Sequence, residues 1–310
     1  MMPLLLQVFS EVLLPIVVIA GMGYMIEGAF PLDPRTLNRV SLYVLSPCLL
    51  FATLLRTEIS GAEALRLSLL MLLVVVSMCM CAYVVARVMQ LSAAQRSGFM
   101  LATTFMNSGN YGLPATRFAF GEVGFQYAVV GYLTQAFLSQ TLAVYVASVG
   151  GGDRRAALTQ VLRMPMIYAA LLAIVLRLLG LQLDESNGSV ALGLFRGVRM
   201  LADATLPFLL LILGMQLRRR KPLGSFGPLG TATALRLVVS IPIAFGVAYL
   251  LGLSDLALRV GIMQAAMPTA VNTTILALEF DTWPHFVSNV VVATTVGSLI
   301  TLTLLLVFLQ

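Results

Sequence analysis

Ten stretches long and apolar enough to cross a bilayer, with most charges at their ends, constrain this chain more than any other feature. They run at 5–27, 37–55, 65–88, 96–120 and 125–149, then at 164–182, 198–217, 228–252, 257–279 and 286–309. A bilayer core is crossed by about 20 residues of helix. Hydrocarbon offers no hydrogen-bond partner to a peptide group, so each stretch must close its backbone bonds internally. Of 310 residues 59% are hydrophobic and 10% charged, with a mean hydropathy of +0.97. Soluble domains carry about 25% charged residues. The fold class expected is therefore an all-α polytopic membrane protein with little mass outside the bilayer.

The cationic excess, 19 Lys and Arg against 13 Asp and Glu, sits mostly at segment ends, where membrane topology uses it. A single lysine, Lys221, and no basic patch interleaved with aromatics argue against nucleic acid. No Lys or Arg precedes Arg35, so the first stretch is expected to be a retained span rather than a cleaved leader. Cys48, Cys79 and Cys81 lie within apolar stretches and are expected to be free thiols packed as small hydrophobes. No Gly-x-Ser-x-Gly or His-Glu-x-x-His occurs, and the single histidine, His285, falls at a span end. An intramembrane enzyme, a metal centre and a cofactor are accordingly not expected.

The polar segment 151–163 divides the stretches into two sets of five. Five is odd, so related halves would enter the membrane from opposite sides. Leu91-Ser92 to Arg96-Ser97-Gly98-Phe99-Met100 resembles Leu253-Ser254 to Arg259-Val260-Gly261-Ile262-Met263, and Ser46-Pro47-Cys48-Leu49-Leu50 resembles Leu206-Pro207-Phe208-Leu209-Leu210. An inverted repeat is expected. With the N-terminus outside, inner loops and helix ends collect twelve of the 19 cations, among them Arg35, Arg39, Arg154, Arg155, Arg163, Arg218 to Lys221, and Arg236. Cytoplasmic loops gather positive charge, so both termini are expected outside, in a plasma or bacterial inner membrane.

Two stretches are interrupted. Asn107-Ser108-Gly109-Asn110-Tyr111-Gly112-Leu113-Pro114 breaks the fourth, and Met267-Pro268-Thr269-Ala270-Val271-Asn272-Thr273-Thr274 breaks the ninth. Non-helical backbone at membrane depth survives only when buried in protein or lining a wet cavity. Paired breaks in corresponding positions point to the binding site of a secondary transporter. Each break offers a half-helix N-terminus whose free N–H groups and positive dipole end suit an anion. Expected site residues are Asn107, Gly109, Asn110, Pro114, Pro268, Asn272, Thr273 and Thr274, with Asn110 and Asn272 in direct contact. The competing reading is that these groups only satisfy backbone freed by the two prolines.

Asn-x-Gly-Asn-x-Gly-Leu-Pro in the fourth stretch, the second break at Pro268, the Pro47 and Pro207 spans and the ten-span layout resemble the auxin efflux carrier family. That family includes plant PIN-type exporters and bacterial carriers of malonate, malate and other carboxylates. The resemblance implies the fold of sodium/proton antiporters and bile-acid symporters. Residues 1–150 would form the first repeat, with scaffold spans 5–55 and core spans 65–149. A cytoplasmic linker, 151–163, would join it to a second repeat at 164–310, with scaffold 164–217 and core 228–309. Small organic anions are the implied substrates, with auxin-like acids a lesser possibility, and a homodimer is an implied assembly. The linker is short beside the long plant loop, which weakens transfer of auxin specificity.

Intramembrane charges are expensive and count as functional hypotheses. Asp203, four residues before Pro207, is either a proton- or sodium-coupling carboxylate or a helix-end acid. Arg117, three residues after Pro114, is either a counter-charge to an anion or a snorkelling end residue, and the two side chains could instead pair. Glu279 and Asp281 are expected to be solvated beside an interfacial Trp283, with a proton-linked role for Glu279 left open. Glu11 and Glu27 bracket the first span as interface residues. A ligand sensor, a sodium-coupled symporter and a channel are the alternatives to an organic-anion carrier.

Overall fold

The computed structural model describes residues 2–30, 32–148, 164–180, 189–218, 226–253 and 255–309. The 151–163 linker, with Arg154, Arg155 and Arg163, and the cluster residues Arg219, Arg220 and Lys221 lie outside them. Among the described residues regular structure is helical throughout, and seven helices are long and apolar enough to cross a membrane. The chain is a multi-pass membrane protein.

The first three are α1 (Pro3–Ala29), α2 (Thr36–Leu55) and α3 (Gly61–Val88). A Ser92–Gln95 capping box then starts α4, Ala93–Thr104. Helix resumes at Ser108 and is continuous by its hydrogen bonds to Ala147. Within it Gly121 has φ 64° and ψ −160°, so the chain turns there; residues 108–120 are α5 and 122–147 are α6. The second half comprises α7 (Pro165–Leu178), α8 (Ser189–Arg218), α9 (Gly227–Leu250), α10 (Asp255–Ala265), α11 (Asn272–Glu279) and α12 (Pro284–Leu309). The fourth apolar stretch is thus α4 plus α5, and the ninth is α10 plus α11.

The conformation at Gly121 is one that only glycine adopts without strain, at a cost of order 1–3 kcal/mol for other residues. A Cβ there would meet no atom within 4 Å, so any effect of substitution is conformational. Gly121→Ala is expected to lower the melting temperature of the purified protein. Gly246→Ala, in the exposed face of α9 with nothing within 4 Å of the new Cβ, serves as the control and is expected to hold or raise it, alanine being the better helix former.

α1 packs along α8, and α2 packs along α7 and α8. The α1–α8 crossing is closed by glycines: a Cβ on Gly214 would lie 1.7 Å from the Ala20 carbonyl oxygen, and one on Gly23 2.1 Å from that of Leu211. Lipid tails give little hydrophobic drive between helices, so small residues that admit close backbone contact carry such crossings. On the other side α3 packs on α4, α6, α9 and α10. Its inner stripe, Leu67, Leu70, Met71, Val74, Val75, Met78, Ala82 and Ala86, is fully buried at three- and four-residue spacing.

Among the described residues five π-turns interrupt the helices, at Phe9–Leu13, Ser41–Leu45, Ser108–Gly112, Ser139–Ala143 and Leu235–Val239. Such one-turn bulges widen the backbone ring and recur at functional sites. Three of these five border a single cleft.

Candidate functional site

α4 ends at Thr104 and α10 at Ala265, and the short extended segments that follow pass each other antiparallel through a Met106–Thr269 bridge. The Asn107 N–H donates to the Pro268 carbonyl at 2.7 Å, and the Ala270 N–H donates to the Phe105 carbonyl at 2.8 Å. Each break therefore satisfies the backbone of the other. The Thr269 hydroxyl donates to the Ala102 carbonyl at 2.6 Å, while the Thr269 N–H donates to Thr294 Oγ1 at 3.1 Å. Both threonines are completely buried.

The second halves, α5 and α11, start at a cleft bounded by α2, α6 and α8. Its polar wall comes from Asn38 and Ser41 of α2, Asn107, Ser108 and Asn110 at the start of α5, Gln135, Ser139 and Gln140 of α6, and Asn272 of α11. Met164 and Leu209 contribute apolar surface. The empty volume is about 620 Å³, open mouth included, and among the described residues no Lys, Arg, Asp or Glu lines it. Among the described residues, four buried polar atoms of this wall have no hydrogen-bond partner: Nδ2 of Asn38, Nδ2 of Asn107, the Ser108 hydroxyl and Oε1 of Gln135. Buried polar groups are nearly always paired, and a cluster left open around one cleft points to a ligand. The Asn107 amide is not repairing the broken backbone, because the partner break already does so.

Residues 8–154, and again residues 154–306, match the family model described as membrane transport protein. The chain belongs to that family. It is the auxin efflux carrier family that the fourth-stretch motif resembles, and the double match means that one sequence unit occurs twice. An uncharacterized transporter of Methanothermobacter thermautotrophicus is 29% identical over 299 residues, covering 95% of this chain and 96% of its own. A second uncharacterized transporter, from Methanocaldococcus jannaschii, is 24% identical over 275 residues, covering 87% of this chain and 88% of its own.

Within this transporter the sequence-expected residues separate into groups. Asn107, Gly109, Asn110 and Asn272 line the cleft. Gly109 is needed for contact, since a Cβ would lie 2.7 Å from the Tyr132 ring. Pro114 is buried in the first turn after the Ser108–Gly112 π-turn, and Pro268 contributes its carbonyl to the crossing. The Thr273 hydroxyl donates to the Ala270 carbonyl at 2.6 Å, and the Thr274 N–H donates to the Val271 carbonyl at 3.0 Å. Neither threonine borders the cleft.

Arg117 and Asp203 lie elsewhere, in a second cleft with Arg56, Glu122 and Arg199. Arg117 pairs with Glu122 at 3.1 Å rather than with Asp203, because the turn at Gly121 folds Glu122 back beside it. An exposed pair of this kind contributes about 0–1 kcal/mol. Glu279, Asp281 and His285 are exposed. Trp283 stacks on Phe286 with ring centroids 4.0 Å apart, and Phe286 stacks on Phe99, so this indole also packs into the protein. Glu27, near the end of the first span, is buried within the protein.

Arg236 departs furthest from its expected place at an inner helix end. It is completely buried, in the π-turn of α9. Its guanidinium donates to the carbonyls of Thr103 at 3.3 Å and Thr104 at 3.1 Å, and to the carbonyl of Ala265. A signal for this was present in the sequence: the residue stands eight positions inside the 228–252 stretch, which contains no acid.

Proposed function

We propose that this transporter carries small organic anions, mono- or dicarboxylates first, by alternating access around the crossover cleft. The observation that carries the reading is the set of buried, unpaired donors at Asn38, Asn107 and Ser108 in a cleft wall whose described residues bear no fixed charge. A carboxylate brings the acceptors these donors lack. The starts of α5 and α11 add their dipoles, each helix N-terminus being equivalent to roughly half a positive charge. A site that holds an anion with dipoles and amides also avoids the tight ion pair that would slow its release.

In this reading the two matched units are five-span inverted repeats, an arrangement supported by the antiparallel crossing at Met106 and Thr269. α1, α2, α7 and α8 form the scaffold, and the remaining helices the moving core. With both termini outside, the cleft opens at Asn38, Gln140 and Met164 toward the cytoplasm, an inward-facing state. The second cleft, at Arg56, Arg117 and Asp203, faces outward. An inside-negative potential drives anion efflux by about 2.3 kcal/mol per charge per 100 mV, so uniport through this site exports.

Counterflow into proteoliposomes tests the proposal. Vesicles loaded with unlabelled malonate, malate, succinate or indole-acetate are diluted into a trace of the same labelled acid. Transient accumulation is expected for at least one carboxylate. A protein that binds these acids without accumulating any of them is a sensor.

A further inference from the structure

We infer that Arg236 is the resident cation of the crossover, holding the place at the ends of α4 and α10 that an inorganic cation would otherwise fill. This deepens the transport reading and rests on it only for the consequence: a carrier that needs no sodium at this site.

The last carbonyls of a helix have no partner within it and carry roughly half a negative charge. Here two such ends meet at the centre of the protein. In transporters with broken helices, half-helix C-terminal ends and unwound carbonyls are where coupling cations coordinate. The Arg236 guanidinium bonds carbonyls from both ends at once, Thr103 and Thr104 of α4 and Ala265 of α10. A buried charge is tolerated only when it is matched. Among the described residues no carboxylate is recorded with Arg236, so carbonyl dipoles supply the match.

The local backbone is built for this. The π-turn at Leu235–Val239 holds the residue within the ladder of α9, and the Ser240 hydroxyl donates to the Arg236 carbonyl at 2.6 Å. The Asn107 N–H, which would close the next helical bond onto the Thr103 carbonyl, donates to Pro268 instead and leaves that carbonyl to the guanidinium. A planar fork with five donors reaches several carbonyls that a compact ammonium would reach singly. The crossover then presents a fixed cation behind Phe105 to Asn107 and two positive helix ends in front, an arrangement that favours anions.

The test is thermal unfolding of purified wild-type, R236K and R236M protein in sodium, potassium and choline chloride. Equal ionic strength cancels general screening. Wild type is expected to melt at one temperature in all three salts. R236M is expected to melt lower in choline and to recover part of the loss, saturably, in sodium. R236K is expected to melt below wild type without regard to the salt, because the charge remains. Saturable stabilisation of wild type by sodium overturns the inference. An R236M deficit equal in all salts also overturns it, reducing Arg236 to a structural pin. If R236M does not fold, R236K decides, since sodium rescue of that variant means the charge was not the requirement. No substrate enters these measurements, so silence in counterflow defeats the carboxylate reading alone, and sodium binding to wild type defeats this inference alone.

Discussion

Alanine at both Asn107 and Asn110 is expected to reduce carboxylate counterflow by about 100-fold or more, since a hydrogen bond to a charged group is worth about 1.5–3 kcal/mol and each 1.4 kcal/mol is a factor of ten. The melting temperature is expected to hold or rise. The Asn107 Nδ2 is buried and has no partner, so truncating it breaks no bond within the protein and removes a desolvated polar group. That combination separates a binding role from a structural one: an amide that repaired the broken helix would cost stability when removed. Unchanged counterflow with a lowered melting temperature would place these asparagines in the scaffolding of the break.

Gly214→Leu is expected to prevent recovery of monodisperse protein, and Gly214→Ala to lower the melting temperature sharply. The Cβ introduced at Gly214 would lie 1.7 Å from the Ala20 carbonyl oxygen and 2.9 Å from the Tyr24 nitrogen, both backbone atoms that no rotamer change can clear. Overpacking a well-fitted interior costs about 1–3 kcal/mol and sometimes more, and here whole helices must separate. Gly230→Ala, with no atom within 4 Å of its new Cβ, should hold or raise the melting temperature, since alanine is the better helix former. Size-exclusion profiles and unfolding scans of the three variants check this. A monodisperse Gly214→Leu with wild-type stability would mean that α1 and α8 do not cross as closely as described.

How much of this was legible in the sequence depends on what hydropathy averages over. The breaks at 107–114 and 267–274 stood out because prolines, amides and glycines cluster within apolar surroundings. Four of the eight expected site residues line one cleft, Asn107, Gly109, Asn110 and Asn272. Thr273 and Thr274 follow in the same turn of α11, where the Thr273 hydroxyl donates to the Ala270 carbonyl and the Thr274 N–H to the Val271 carbonyl. Asn38, Ser41, Gln135, Ser139 and Gln140 escaped notice because no proline or glycine breaks the helix beside them, and only the packing of α2 and α6 brings them to the crossing. The π-turns at Ser41–Leu45 and Ser139–Ala143 that border the cleft leave no compositional mark. Arg236 was counted among the inner loops and helix ends by the rule that gathers positive charge on the cytoplasmic side, whereas a pair of helix termini meets it deep in the protein.

Charge movement in proteoliposomes on a solid-supported membrane, recorded after a jump in malonate, malate or succinate, tests the central claim most directly. The account predicts a saturable current carrying negative charge with at least one of these acids, unchanged when sodium is replaced by choline and absent from Asn107→Ala/Asn110→Ala vesicles. A current of equal size in those variant vesicles would contradict the assignment of the crossover cleft as the transport site.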